Sequence, residues 1–193
     1  MVSEDSGLLI CAETDSAESA LQWVKDAEID LAIVDLSLKD SGGLQLIKML
    51  REAAPDLQVL VLSMHDEALF AERALKAGAR GYIMKQEAIV GLVDAVRQVL
   101  SGRIYLSEQM SQQLLERIGP GSQTQDTGLT MLTDRELEVF ELIGRGVSTS
   151  LIAEQMGVSV KTVETHRSNI KTKLNLKDGF ELLKYASSWA ERL

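Results

Sequence analysis

The feature that most constrains this fold is an alternation of pattern through the first hundred residues. Short, nearly unbroken apolar runs stand at LLICAE (8–13), LAIVD (31–35), LQVLVLS (57–63) and GYIM (81–84). Between and after them, ESALQWVKDA, GLQLIKMLREAAP, DEALFAERALKAG and VGLVDAVRQVLSG place apolar residues at helical spacing, with Pro55 and Gly78 closing two of the four. Apolar strands alternating with amphipathic helices predict an α/β unit, a parallel sheet covered by helices on both faces. In such sheets chemistry gathers at the carboxyl ends of the strands. Asp35, Ser63 and Lys85 fall at three of those ends.

A carboxylate, a hydroxyl and an ammonium on neighbouring strand ends can serve phosphoryl transfer. The carboxylate acts as nucleophile, and the other two hold the oxygens that carry charge. VDLSLKDSGGLQLI, VLVLSMHDE and AGARGYIMK resemble the receiver domain of response regulators, over residues 8 to 107. That resemblance implies that Asp35 is the phosphoacceptor, that Ser63 and Lys85 bind the phosphoryl group, and that Tyr82 is the aromatic that reorients on activation. It also implies Mg2+, held by Asp35 and the Ser37 backbone carbonyl together with an acidic pair from an earlier strand. Only MVSEDSG precedes LLICAE, so the receiver's first strand, first helix and acidic pair are expected to be missing, and Glu4 and Asp5 to be a solvated tail. Mg2+ should then bind weakly, and the receiver half should be unstable and accept phosphoryl groups poorly. Lys39 stands where the family usually has proline. A dehalogenase-like phosphatase would need a second Asp two residues after the nucleophile, and Ser37 stands there.

Net charge is −9, yet it is unevenly spread: residues 1–129 hold 11 Lys/Arg against 20 Asp/Glu, and residues 130–193 hold 9 of each. The second part is therefore free to carry a basic face. GPGSQTQDTGL (119–129) has linker composition and divides the chain into a receiver part, 1–118, and a second domain, 130–193. No apolar run reaches the ~18 residues of a membrane span, and the N-terminus lacks a secretory pattern. Cys11 is alone, and His65 and His166 are far apart, which argues against a disulfide or a metal cluster. A cytoplasmic location and no enzymatic activity are expected.

In the second part, LTDRELEVFELIGRG opens on a capping box, Thr133 with Glu136. STSLIAEQMG follows as a short helix, with Ser148 as cap and Gly157 ending it. Ser159 caps a third helix, VKTVETHRSNIKTKL. Two short helices across a Gly-containing turn predict a helix-turn-helix within an all-α four-helix domain. Val160, Val163, Ile170 and Leu174 should face the core, leaving Lys161, Glu164, Thr165, Ser168 and Thr172 on another face. From Val158 to Lys177, five cations stand against Glu164. A basic helix with hydrogen-bonding side chains suits a major groove.

LTDRELEVFELIGRG with IAEQMGVSVKTVETHRSNIKTKLNL resembles the LuxR-type helix-turn-helix of NarL/FixJ-type regulators, over residues 130 to 190. The resemblance implies base-edge positions at Glu164, Thr165 and Ser168, and phosphate contacts from Lys161, Arg167 and Lys171. It also implies dimerisation through GFELLKYASSWAERL. The expected protein is a two-component transcriptional regulator controlled by phosphorylation of Asp35. Its partners are a sensor histidine kinase, a second copy on DNA, and an inverted-repeat duplex, with no membrane. The alternative is a phosphorylation-independent DNA-binding regulator whose receiver half is an interaction module.

Overall fold

The computed structural model describes residues 7–36, 42–65, 67–118 and 128–191. The chain divides into two compact units, Met1–Ser122 and Gln123–Leu193.

The first unit runs α1 (Ala17–Asp26), β1 (Leu31–Val34), α2 (Gly43–Ala53), β2 (Gln58–Ser63), α3 (Glu67–Ala77), β3 (Gly81–Met84), α4 (Lys85–Leu100) and α5 (Glu108–Ile118). The three strands form one parallel sheet in the order β1-β2-β3, with Val34 opposite Val61 and Ser63 opposite Met84. Alternate residues of a strand point to opposite faces. Leu60 and Ile83 accordingly join Ala95, Val96 and Val99 of α4 in one buried cluster. Val59, Val61 and Tyr82 are buried on the other face, where α3 packs on β3 and α2 on α3. Helices thus cover both faces, as the alternation predicts.

Two expectations need correction. LLICAE forms no strand. Leu8 packs against the α4 cluster, whereas Leu9 and Ile10 are 84% and 60% exposed. An apolar run becomes a strand only where another backbone edge supplies ladder partners, and β1 pairs only with β2 among the described residues. The final helix of the α/β part also begins earlier than its apolar spacing suggests, at Lys85, and leaves Ile89 and Val90 exposed. A further helix, α5, follows a Ser107 cap whose Oγ accepts the Met110 N–H at 3.1 Å. Glu67 at the start of α3 ties it down by accepting the Ser107 N–H at 3.0 Å, and Met110 is buried.

The second unit opens with a short 3-10 turn, Gly128–Met131. It continues with α6 (Asp134–Gly144), α7 (Thr149–Gln155), α8 (Val160–Lys173) and α9 (Gly179–Ala190). Each cap read from the sequence forms. Thr133 Oγ1 accepts the Glu136 N–H while the Glu136 carboxylate accepts the Thr133 N–H at 2.8 Å. Ser148 caps α7 and Ser159 caps α8. Leu137, Phe140, Ile143, Ile152, Val163, Ile170, Leu182 and Ala186 make the core. Gly144 permits the close crossing of α6 and α9, since a Cβ there would lie 2.5 Å from the Ala186 carbonyl oxygen. Val160, expected in the core, is 47% exposed. As the first helical residue after the Ser159 cap it precedes the point where α8 meets the core, one turn later at Val163.

Candidate functional site

Two groups of side chains have chemistry to offer, one in each unit. In the first, the parallel register brings three strand ends together. Asp35 follows β1, Ser63 ends β2, and Lys85 follows β3 as the first residue of α4. Lys85 Nζ reaches the Asp35 carboxylate at 2.6 Å, joining residues 50 positions apart across β2. Both side chains keep about a third of their surface in solvent, so the pair is screened and its role is positional more than stabilising. Gly43 lets α2 start directly against this edge: a Cβ there would fall 2.4 Å from the Leu36 Cα.

Ser63 is buried, and its Oγ accepts the His65 N–H at 3.0 Å, which holds the turn after β2. Tyr82 is also buried and donates its hydroxyl to the His65 carbonyl at 2.8 Å, so the ring is turned inward. The His65 ring lies 4.8 Å from that of Phe70. His65 therefore links the Ser63 turn to Tyr82, a role that no local signal in the sequence carries. Ser37 lies outside the described residues, as do Glu4 and Asp5.

A hard divalent cation takes six or more oxygen ligands, several of them carboxylate in a protein-built site. Among the described residues no group of three His, Cys, Asp or Glu could hold a metal, and Asp35 already faces an ammonium. The described donors do not by themselves fit Mg2+.

In the second unit α8 presents Lys161, Glu164, Thr165, Ser168 and Thr172 to solvent. The hydroxyls of Thr165 and Thr172 donate to the carbonyls one turn back, Lys161 at 3.0 Å and Ser168 at 3.1 Å. Arg167 is half-buried and donates to Thr149 Oγ1 at the start of α7 at 3.4 Å, coupling the two helices of the turn motif. Lys171 is half-buried as well. Lys173, counted among the basic residues of this helix, is spent within the fold, its Nζ lying 2.6 Å from the buried Glu136 carboxylate. Burial alone would raise the Glu136 carboxyl, but hydrogen bonds from Lys173 and Thr133 outweigh it and hold the group below the usual carboxylate range. The Thr149 and Lys173 pairings escape sequence reading because they join positions 18 and 37 residues apart.

Residues 1–97 match the model of the response regulator receiver domain, and residues 130–186 that of the bacterial regulatory proteins of the luxR family. The chain belongs to the response regulators. Two similar members are the transcriptional activator protein ExaE of Pseudomonas putida, 37% identical over 90% of this chain and 81% of its own, and the oxygen regulatory protein NreC of Staphylococcus epidermidis, 37% identical over 92% and 84%. Among solved structures the response regulator RcsB of Salmonella enterica serovar Typhimurium, bound to promoter P1flhDC in the presence of phosphomimetic BeF3-, superposes with a TM-score of 0.56 at 27% identity, over 89% of this chain and 82% of its own. This response regulator thus joins a three-stranded parallel α/β receiver unit to a helical LuxR-type DNA-binding unit. Receiver domains as a class bind Mg2+ at the phosphorylation site. No helix among the described residues is long and apolar enough to cross a membrane.

Proposed function

We propose that this response regulator accepts a phosphoryl group on Asp35 from a sensor histidine kinase, and that the phosphorylated state governs binding of α8 to a promoter as a homodimer. The contact that carries the reading is Lys85 Nζ to Asp35 at 2.6 Å. An ammonium held against a strand-end carboxylate is placed to neutralise the oxygens of an incoming phosphoryl group. In the transfer the Asp35 oxygen bonds to phosphorus as the phosphohistidine P–N bond breaks, and the electron pair stays with the imidazole. Ser63 gives up its hold on the His65 N–H to bind a phosphoryl oxygen. Tyr82 responds through the same residue, because its hydroxyl bonds the His65 carbonyl.

On the DNA side, Glu164, Thr165 and Ser168 face base edges, while Lys161, Arg167 and Lys171 hold phosphates. Arg167 reaches its phosphate from its place beside Thr149. The α9 helix pairs across a two-fold axis, so the operator is an inverted repeat. The promoter-bound state of RcsB supports this reading, and the protein works in the cytoplasm. A second reading, DNA binding without phosphorylation, is favoured by the absence of a metal-holding group among the described residues.

One experiment separates the two. The full chain is incubated with acetyl phosphate and Mg2+, resolved on phosphate-affinity gels, and assayed on duplex DNA by fluorescence anisotropy. A shifted band absent from Asp35→Asn, with tighter DNA binding, supports control by phosphorylation. Equal gels and equal affinities for both proteins support the second reading.

A further inference from the structure

The exposed face of α8 carries an acid, Glu164, between Lys161 and Ser168. Glu164 is solvent-exposed and makes no hydrogen bond or ion pair with any described residue. Next to it, Thr165 has its hydroxyl proton committed to the Lys161 carbonyl at 3.0 Å. What Thr165 Oγ1 offers outward is lone pairs. Two adjacent positions of the helix therefore present acceptors only.

Major-groove edges sort cleanly against such a face. Guanine shows two acceptors, N7 and O6, and thymine shows O4 and a methyl group. A carboxylate set against either loses its water and gains an unpaired, repelling neighbour. Adenine offers the N6 donor beside its N7 acceptor, so one carboxylate oxygen would face a lone pair. Cytosine offers the N4 donor with no acceptor beside it on the same base. We propose that Glu164 is the specificity-determining residue of this helix and selects a C·G pair by accepting from cytosine N4. Thr165 reinforces the choice by rejecting acceptor edges at the neighbouring pair. Lys161, one turn earlier on the same face, offsets the repulsion between the carboxylate and the phosphates. This inference rests on the DNA-binding reading of the second unit.

The test uses the full chain and a duplex library with a randomised core, followed by anisotropy on the selected sites and their single-base variants. The wild type should select cytosine at one position of each half-site and lose about 5- to 150-fold in affinity when that base is changed. Glu164→Gln should move the preference at that position to adenine, and Glu164→Lys should move it to guanine, with the other positions unchanged. Thr165→Val should relax only the neighbouring position. If Glu164→Gln tightens binding to every duplex by one common factor and leaves the selected base unchanged, Glu164 contributes bulk charge only and the inference is overturned. Salt-dependent binding with no selected base overturns it too, while leaving DNA binding intact. Failure to bind any duplex overturns the DNA-binding reading itself.

Discussion

At Glu136, burial and hydrogen bonding pull the carboxyl in opposite directions, and hydrogen bonding wins. Its folded pKa lies below the ordinary value of 4.5, so the stabilisation it supplies is complete above that value and disappears as pH falls through the lower folded one. Removing the carboxylate by Glu136→Ala takes away one half of the capping box, the acceptor of the Thr133 N–H, and leaves Lys173 without its partner. The expected cost is about 2 kcal/mol. Thermal melts at neutral pH should show that loss, and the gap between wild type and variant should narrow in acid. At the other site the expectation concerns chemistry: Lys85→Ala should lower Asp35 labelling by acetyl phosphate while leaving the melting temperature nearly unchanged, because the pair is screened. A large fall in melting temperature would show that the ammonium has a structural role instead. The strand-end positions of Asp35, Ser63 and Lys85 were legible in the sequence as apolar runs ending on polar residues. The turn of Tyr82 toward His65 was not, since it depends on a carbonyl 17 residues away.

Among the elements, α9 carries two aromatic and aliphatic sets with different duties. Tyr185 and Trp189 each lie 5.7 Å from the Phe140 ring and fasten α9 to α6. Leu183 is 43% exposed, and Phe180 at the start of the helix is more exposed still. Leu183→Glu should therefore weaken dimerisation, read by sedimentation on operator DNA, and leave the melt unchanged. Trp189→Glu should lower the melting temperature of the second unit, because it puts a charge against buried Phe140. A melt unaffected by Trp189→Glu would mean that the ring contact contributes little. Gly144→Ala tests the same crossing from the other side, since its Cβ would meet the Ala186 carbonyl. A destabilisation of about 1–3 kcal/mol is expected from forcing the helices apart.

Over the whole molecule, an acidic chain can bind DNA only through a local concentration of positive charge, because net charge is −9 while α8 carries exposed Lys161 and half-buried Arg167 and Lys171. Affinity should fall steeply with salt as counterions are released. Lys161→Ala and Lys171→Ala should each weaken binding to all duplexes alike and lower the log–log salt slope by about 1. Unchanged slopes would remove these residues from the phosphate contacts. The sequence by itself determined what is encoded locally. Periodicity specified the helical segments of the first part other than α5, Ser and Thr hydroxyls specified where α6, α7 and α8 begin, and motif spacing specified the two kinds of unit. Only the tertiary structure decided what depends on a distant partner. LLICAE has a strand's composition and forms none, because a ladder needs a second backbone edge that composition does not supply. Val160 has a core residue's chemistry and stays in solvent, because the core begins one turn further along α8. Lys173 counts in the sequence only toward the positive charge of its helix, and in the fold it neutralises Glu136, because folding brings α6 and α8 together across 37 residues and a buried carboxylate requires a partner.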